Sequence, residues 1–135
     1  MKKLLQDFSI FTFSGALYTS MEIIFRGRSH FSMFLAGGIC FLILFKLYKK
    51  NLQLSMPEKC IISAIVITSI EFIVGSVVNL WLNLNVWDYS CISGNALGQV
   101  CILYSVLWGF LGIPISYFSD KISSWQSAVK LSSTN

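Results

Sequence analysis

Four long apolar runs, separated by shorter polar segments, dominate the pattern of this chain. They lie at about residues 8–25, 31–48, 60–82 and 96–118. Each run is close to the length of roughly 20 apolar residues that a helix needs to cross a bilayer. The pattern therefore predicts an all-α integral membrane protein with four transmembrane helices. These helices form a single transmembrane domain, residues 1–118, and residues 119–135 are expected to form a polar cytoplasmic tail.

The composition supports a membrane protein. Of the 135 residues, 55% are hydrophobic and only 12% are charged, whereas about 25% are charged in soluble domains. The net charge of +4 does not indicate nucleic acid as a partner, because the basic residues form no face with interleaved aromatic side chains. The predicted surroundings are the lipid bilayer.

The basic residues are distributed unequally between the two sides of an up-down-up-down arrangement. One side holds Lys2, Lys3, Lys46, Lys49, Lys50, Lys59, Lys121 and Lys130. The other side holds only Arg26 and Arg28. Cytoplasmic loops carry the excess of Lys and Arg, so both termini are predicted to be cytoplasmic.

Two pairs of similar segments indicate an internal repeat. Residues 19–24 match residues 68–73 through a shared Thr-Ser-x-Glu pattern, and residues 37–40 resemble residues 98–101. The chain is then built as two repeated helical hairpins of the same orientation, with Glu22 and Glu71 at equivalent depths. The alternative is chance similarity between apolar segments of low variety.

The third apolar run carries an ionisable residue. Thr68, Glu71, Gly75, Asn79 and Asn83 are spaced three or four residues apart, so on a helix they share one polar, small face. A charged carboxylate near the bilayer centre costs roughly 2.5–3.5 kcal/mol. Glu71 is therefore expected to face protein or water and to have a partner or a task there.

The two glutamates differ in their neighbours. Arg26 follows Glu22 by four residues, which is the favourable order for an ion pair, and Arg26 matches Gly75 in the other half. The hypothesis is that Glu71 changes charge, as a proton or cation site, within a polar membrane centre. That centre comprises Glu22, Arg26, Glu71 and Asn79. The alternative is a protonated or arginine-paired Glu71 that only holds helices together.

The two outer loops supply a second group of candidate residues. They are Arg28, His30, Trp87, Asp88 and Asn95. Trp87 and Tyr89 are expected at the membrane interface, where amphipathic rings settle. His30, Asp88 and a serine have no spacing typical of a hydrolase, so no catalytic residue is assigned and no enzyme is predicted.

No cofactor or metal site is predicted. The chain has one histidine, no paired Cys-x-x-Cys spacing and no glycine-rich phosphate loop. Four cysteines without paired spacing do not indicate a disulfide framework.

Several local patterns occur together in a known family. They are Glu71-Phe72-Ile73-Val74-Gly75, Asn79, Trp87-Asp88-Tyr89-Ser90, Asn95-x-x-Gly98-Gln99-x-Cys101 and Trp108-Gly109. In this combination the chain resembles the CmpB-like family of small bacterial membrane proteins described as "putative ABC-transporter type IV". The resemblance implies a multi-pass protein of the bacterial plasma membrane with a role in transport.

The expected function is a small permease-like transport component with a buried glutamate centre. The alternative is a non-transporting membrane subunit that stabilises or regulates a partner protein. Four spans form a narrow bundle, so a homo-oligomer or a partner membrane subunit is expected. The small-residue face of the fourth span, around Gly109 and Gly112, is the expected contact.

Overall fold

A computed structural model describes residues 1–132, apart from the side chains of Lys2 and Lys130; the last three residues of the expected tail lie outside it. Its elements are α1 (Lys2–Arg26), α2 (Phe31–Lys50), α3 (Met56–Gly75) with a π-helical continuation (Ser76–Trp81), the strands β1 (Asn95–Ala96) and β2 (Val100–Cys101), and α4 (Ile102–Ser132). All four long helices are apolar enough to cross a membrane. The prediction of an all-α membrane fold with four such helices is confirmed.

The helices form two antiparallel hairpins. Helix α1 packs chiefly against α2, and α3 packs chiefly against α4. Helix α2 contacts both α3 and α4 and so joins the hairpins, whereas α1 shares little contact with α3 or α4. We call the end that carries residues 27–30 and 82–101 the loop end, and the opposite end the terminal end.

Glycines bring the two helices of each hairpin close together. A Cβ atom at Gly38 would lie 2.7 Å from the Phe11 ring of α1, and one at Gly112 would lie 2.8 Å from Ser63 Oγ of α3. Small residues at such points permit close helix approach. The small face of α4, expected to contact another chain, is thus occupied by α3 of the same chain.

Helix α3 begins at Met56, earlier than the predicted start near residue 60. The Glu58 carboxylate accepts a hydrogen bond of 2.7 Å from the Ser55 backbone N–H, and Pro57 lies in the first turn. Both features favour a helix start. Lys59, expected in a polar linker, is therefore part of α3.

Helix α4 begins at Ile102, later than the predicted start near residue 96. Leu97 and Gly98 have φ angles of +52° and +68°, which a right-handed helix cannot contain. They lie between the two short strands, where β1 pairs with β2. At the other end, α4 continues through residues 119–132 as one helix, so most of the expected tail is helical.

One of the two pairs of similar segments does not occupy equivalent positions in the structure. Residues 37–40 belong to α2, but residues 98–101 form a turn and a strand, so this matched pair is not equivalent in structure. Phe11 and Cys60, which contact the close-approach glycines Gly38 and Gly112, each precede the glutamate of their helix by eleven residues. The internal repeat stays a prediction.

Candidate functional site: a buried carboxyl beneath an inward-folded loop

The Glu71 carboxyl is held by two neutral donors. Its side chain is 6% exposed. Oε1 accepts a hydrogen bond of 2.9 Å from the Tyr89 hydroxyl, and Oε2 accepts one of 2.8 Å from Trp108 Nε1. Burial raises the pKa of Tyr89, and the nearby Glu71 carboxyl raises it further, so the phenol stays a donor. Glu71 thereby ties α3 to the loop and to α4.

Aromatic rings pack around these donors. Tyr104 stacks on Tyr89 with a centroid distance of 4.7 Å, and its ring lies 6.0 Å from that of Trp108. Tyr18 of α1 lies 6.4 Å from Trp108 on another side. Such packing is stabilising beyond the buried area. The rings place the Glu71 carboxyl in surroundings of low polarity.

Glu22 has a different environment, although it is similarly buried at 8% exposure. Arg26 Nη1 donates to Glu22 Oε1, as the four-residue spacing predicts. Ser29 Oγ donates to the other oxygen at 2.6 Å. The positive charge of Arg26 compensates the carboxylate directly.

Three of the four residues of the predicted polar centre belong to one network. Arg26 Nη2 donates to the Val86 carbonyl oxygen at 3.0 Å, and the Val86 N–H donates to Asn79 Oδ1 at 2.7 Å. Asn79 Nδ2 in turn donates to Gln99 Oε1 at 2.9 Å. Glu22, Arg26 and Asn79 are thus linked through the loop, and no hydrogen bond within residues 1–132 joins Glu71 to them.

The loop folds inward over Gly75. Trp87 is 3% exposed, and its Nε1 donates to the Gln99 carbonyl oxygen at 2.9 Å. A Cβ atom at Gly75 would lie 2.8 Å from the Trp87 ring and 2.6 Å from Gln99 Oε1. Protein acceptors therefore satisfy both Trp87 and Tyr89, and their depth at the membrane interface stays a prediction.

The polar stripe of α3 differs from the predicted one at both ends. Asn83 is exposed, has φ +53° and lies beyond the π-helical segment, so it leaves the stripe. In the other direction the buried stripe continues to the terminal end. Its members, each four residues from the next, are Lys59, Ser63, Ile67, Glu71, Gly75 and Asn79.

A second polar cluster lies at the terminal end of this stripe and was missed by sequence reasoning. The buried Lys59 Nζ donates to Ser116 Oγ at 2.7 Å and lies 3.9 Å from Asp120 Oδ2. The Tyr48 hydroxyl donates to the Lys59 carbonyl oxygen at 2.8 Å. Extending the four-residue spacing back from Glu71 would have indicated that Lys59 faces inward.

Two of the outer-loop candidates shape the loop itself. Asp88 Oδ1 accepts a hydrogen bond of 2.8 Å from the Ser90 N–H, and the hydrogen bonds from Ser90 hold the pKa of Asp88 below its usual range. Asn95 Oδ1 accepts one of 3.0 Å from the Gly98 N–H. These contacts fix turns and leave Asp88 exposed.

The first connection is separate from these turns. His30 Nδ1 accepts a hydrogen bond of 3.2 Å from the Ser32 N–H and so caps α2, while Arg28 is exposed. Among the described residues, no contact joins His30 to Asp88. A hydrolytic site of His30, Asp88 and a serine is therefore not formed. Nor does the described part of the chain contain three His, Cys, Asp or Glu side chains grouped as metal ligands.

A cavity of about 340 Å³ lies between the two hairpins. All four helices line it, and Trp87 contributes from the loop. Glu71 forms part of the wall on α3. The candidate site therefore combines a buried carboxyl, an inward-folded loop and an apolar cavity.

Four membrane-length helices around such a site define a multi-pass membrane protein. The chain belongs to the family described as "Putative ABC-transporter type IV", which matches residues 7–134. The resemblance found in the sequence is confirmed. No curated protein and no solved structure matches the chain. Orientation of the termini and association with another chain stay predictions.

Proposed function

We propose that this chain is a permease-like transport component in which Glu71 changes charge by binding a proton or a cation. The observation that carries the proposal is the Glu71 carboxyl, which is buried beside the cavity and, among the described residues, is hydrogen-bonded by Tyr89 and Trp108 alone. Neutral donors compensate an ionised carboxylate less completely than an arginine does. The site therefore favours a proton or a cation as a third partner.

The loop gives the change of charge a mechanical consequence. Tyr89 and Trp87 belong to the same inward-folded segment, which covers the loop end of α3. A proton on Glu71 weakens its acceptor strength toward Tyr89, because charge-assisted hydrogen bonds are stronger than neutral ones. Binding of a proton at Glu71 thus loosens the loop, and its release tightens the loop again.

Charge movement across reconstituted membranes tests this function. Purified protein in proteoliposomes is screened with a panel of solutes by solid-supported-membrane electrophysiology, with and without a proton gradient. We expect solute-dependent currents in the parent protein and their loss in Glu71→Gln. Asp88→Asn, which removes an exposed carboxylate of the loop, is the matched control and keeps the currents. Currents that persist in correctly folded Glu71→Gln would contradict the proposal, as would their absence from the parent protein.

A second function has its own supporting observation. At the terminal end, α4 carries the exposed apolar residues Trp125 and Val129, which are four residues apart and so share a face. The sequence has no phosphate-binding loop, so ATP-driven transport would need another chain. The alternative proposal is a non-transporting subunit that holds a partner through this face. It predicts that Trp125→Glu abolishes co-purification of a partner, whereas Glu71→Gln leaves it unchanged.

A further inference from the structure

The cavity between the hairpins has two facing walls. Leu17, Tyr18 and Met21 lie on one face of α1. Leu111, Ile115 and Phe118 lie on one face of α4. Residues three and four apart share a helix face, so each wall is a continuous stripe. Helices α2 and α3 close the back of the space.

The cavity opens between α1 and α4. These two helices share little direct contact. Leu17, Met21 and Phe118 line the cavity and yet remain 48%, 45% and 48% exposed. All three lie within membrane-length helices, where exposed apolar side chains face hydrocarbon. The mouth is therefore lateral and leads into the bilayer interior.

The walls offer few hydrogen bonds to an occupant. The Ser14 hydroxyl donates to the Ile10 carbonyl oxygen at 2.8 Å within its own helix. Each Glu71 oxygen already accepts a hydrogen bond, Oε1 from Tyr89 and Oε2 from Trp108. A solute with many hydrogen-bonding groups would lose most of its bonds to water here without replacement, which costs several kcal/mol. The cavity is suited to an apolar molecule.

We infer that this cavity is a lateral groove for the hydrocarbon chain of a membrane lipid, which enters between α1 and α4. The volume of about 340 Å³ is at the small end of ligand cavities and suits one chain better than a whole lipid. The inference rests on the proposed function, since it names amphiphiles as the class of substrate that reaches Glu71.

Quenching by brominated lipid tests the groove directly. Trp81→Phe and Trp125→Phe remove the two highly exposed indoles and leave Trp87, which lines the cavity, and Trp108. This protein is placed in phosphatidylcholine vesicles with acyl chains that are either brominated or not. We expect bromine to quench its fluorescence although Trp87 is buried. The absence of quenching would overturn the inference.

Filling the groove should reduce that quenching. Ala36 is buried and lines the cavity, whereas its neighbour Leu35 faces outward. We expect Ala36→Phe to lower the quenched fraction roughly twofold, since one of the two remaining indoles lines the cavity, and Leu35→Phe to leave it unchanged. Ser14→Leu fills the groove from the α1 wall. Its quenched fraction is measured instead if Ala36→Phe does not fold. Equal quenching in the folded filled variant and the control would overturn the inference.

The readout separates this inference from the proposed function. Glu71→Gln tests the proposed function through the solute-dependent currents, whereas Ala36→Phe tests the groove through bromine quenching. Currents that depend on Glu71 without any quenching would overturn the groove alone. Quenching without Glu71-dependent currents would overturn the transport role and leave a lipid-binding groove.

Discussion

In both hairpins a glycine allows the two helices to pack closely, but the buried glutamates of the hairpins have different partners. In each, a glycine of the second helix approaches a residue that lies eleven positions before the glutamate of the first. Glu22 is then neutralised by Arg26 of its own helix. Glu71 is held by donors from the loop and from α4, both of them neutral.

The difference lies in what occupies the next helical turn. Arg26 occupies that turn in α1, and Gly75 occupies it in α3. The glycine leaves room for Trp87 and Gln99 to fold inward. An arginine therefore stabilises a fixed charge in one hairpin, whereas a glycine admits a loop that covers a carboxyl in the other.

The largest expected effect comes from breaking the packing that the hairpins share. A Cβ atom at Gly112 would lie 3.0 Å from the Lys59 carbonyl oxygen, and one at Gly38 would lie 2.9 Å from that of Phe11. Gly112→Leu and Gly38→Leu should each lower the free energy of unfolding by about 3 kcal/mol, because backbone cannot yield as a side chain does. Thermal unfolding in detergent measures this. A loss of stability in only one of the two variants would show that the hairpins do not depend equally on this close packing.

The next effect distinguishes the glutamates. Glu22→Gln weakens two charge-assisted hydrogen bonds and should cost about 2 kcal/mol. Glu71→Gln keeps one acceptor for its neutral donors and should cost only about 1 kcal/mol. Chemical denaturation of both variants under the same conditions gives the order. The reverse order would contradict the assignment of Glu22 as the fixed charge.

A smaller effect concerns the bond between the loop and α3. Tyr89→Phe removes the donor to Glu71 Oε1 and keeps the ring that stacks on Tyr104. It should cost about 1 kcal/mol, seen as faster amide hydrogen exchange in residues 86–99. Tyr104→Phe keeps the stacked rings and the Glu71 contacts, so it serves as the control. Unchanged exchange in Tyr89→Phe would show that this bond does not hold the loop.

The smallest effect is a local dependence on acid. Hydrogen bonds from Ser90 lower the pKa of Asp88 in the folded loop. The stabilisation they give is present above the ordinary pKa of an aspartate and is lost as the pH falls through the lowered value. Amide exchange at Ser90 should therefore rise on acidification after correction for the intrinsic rate. Asp88→Asn should show no such step, and a step of equal size there would exclude Asp88 as its source.

Hydropathy alone was sufficient to predict the four helices, because the requirement for about 20 apolar residues acts on local sequence. The pair of Glu22 and Arg26 also followed from spacing within one helix. The inward fold of Trp87 did not, since an interfacial and a buried tryptophan look alike until the distant acceptor Gln99 is known. Lys59 was misread for the same reason, because its partner Ser116 lies on another helix.

The proposed change of charge at Glu71 is tested most directly by carbon-13 NMR of glutamate-labelled protein in bilayers. The chain has only three glutamates, so Glu→Gln variants assign each carboxyl resonance. As the pH is lowered, we expect the Glu71 resonance to move from the carboxylate to the carboxylic acid position. A Glu71 resonance that stays in one form at every pH at which the protein is folded would contradict the account.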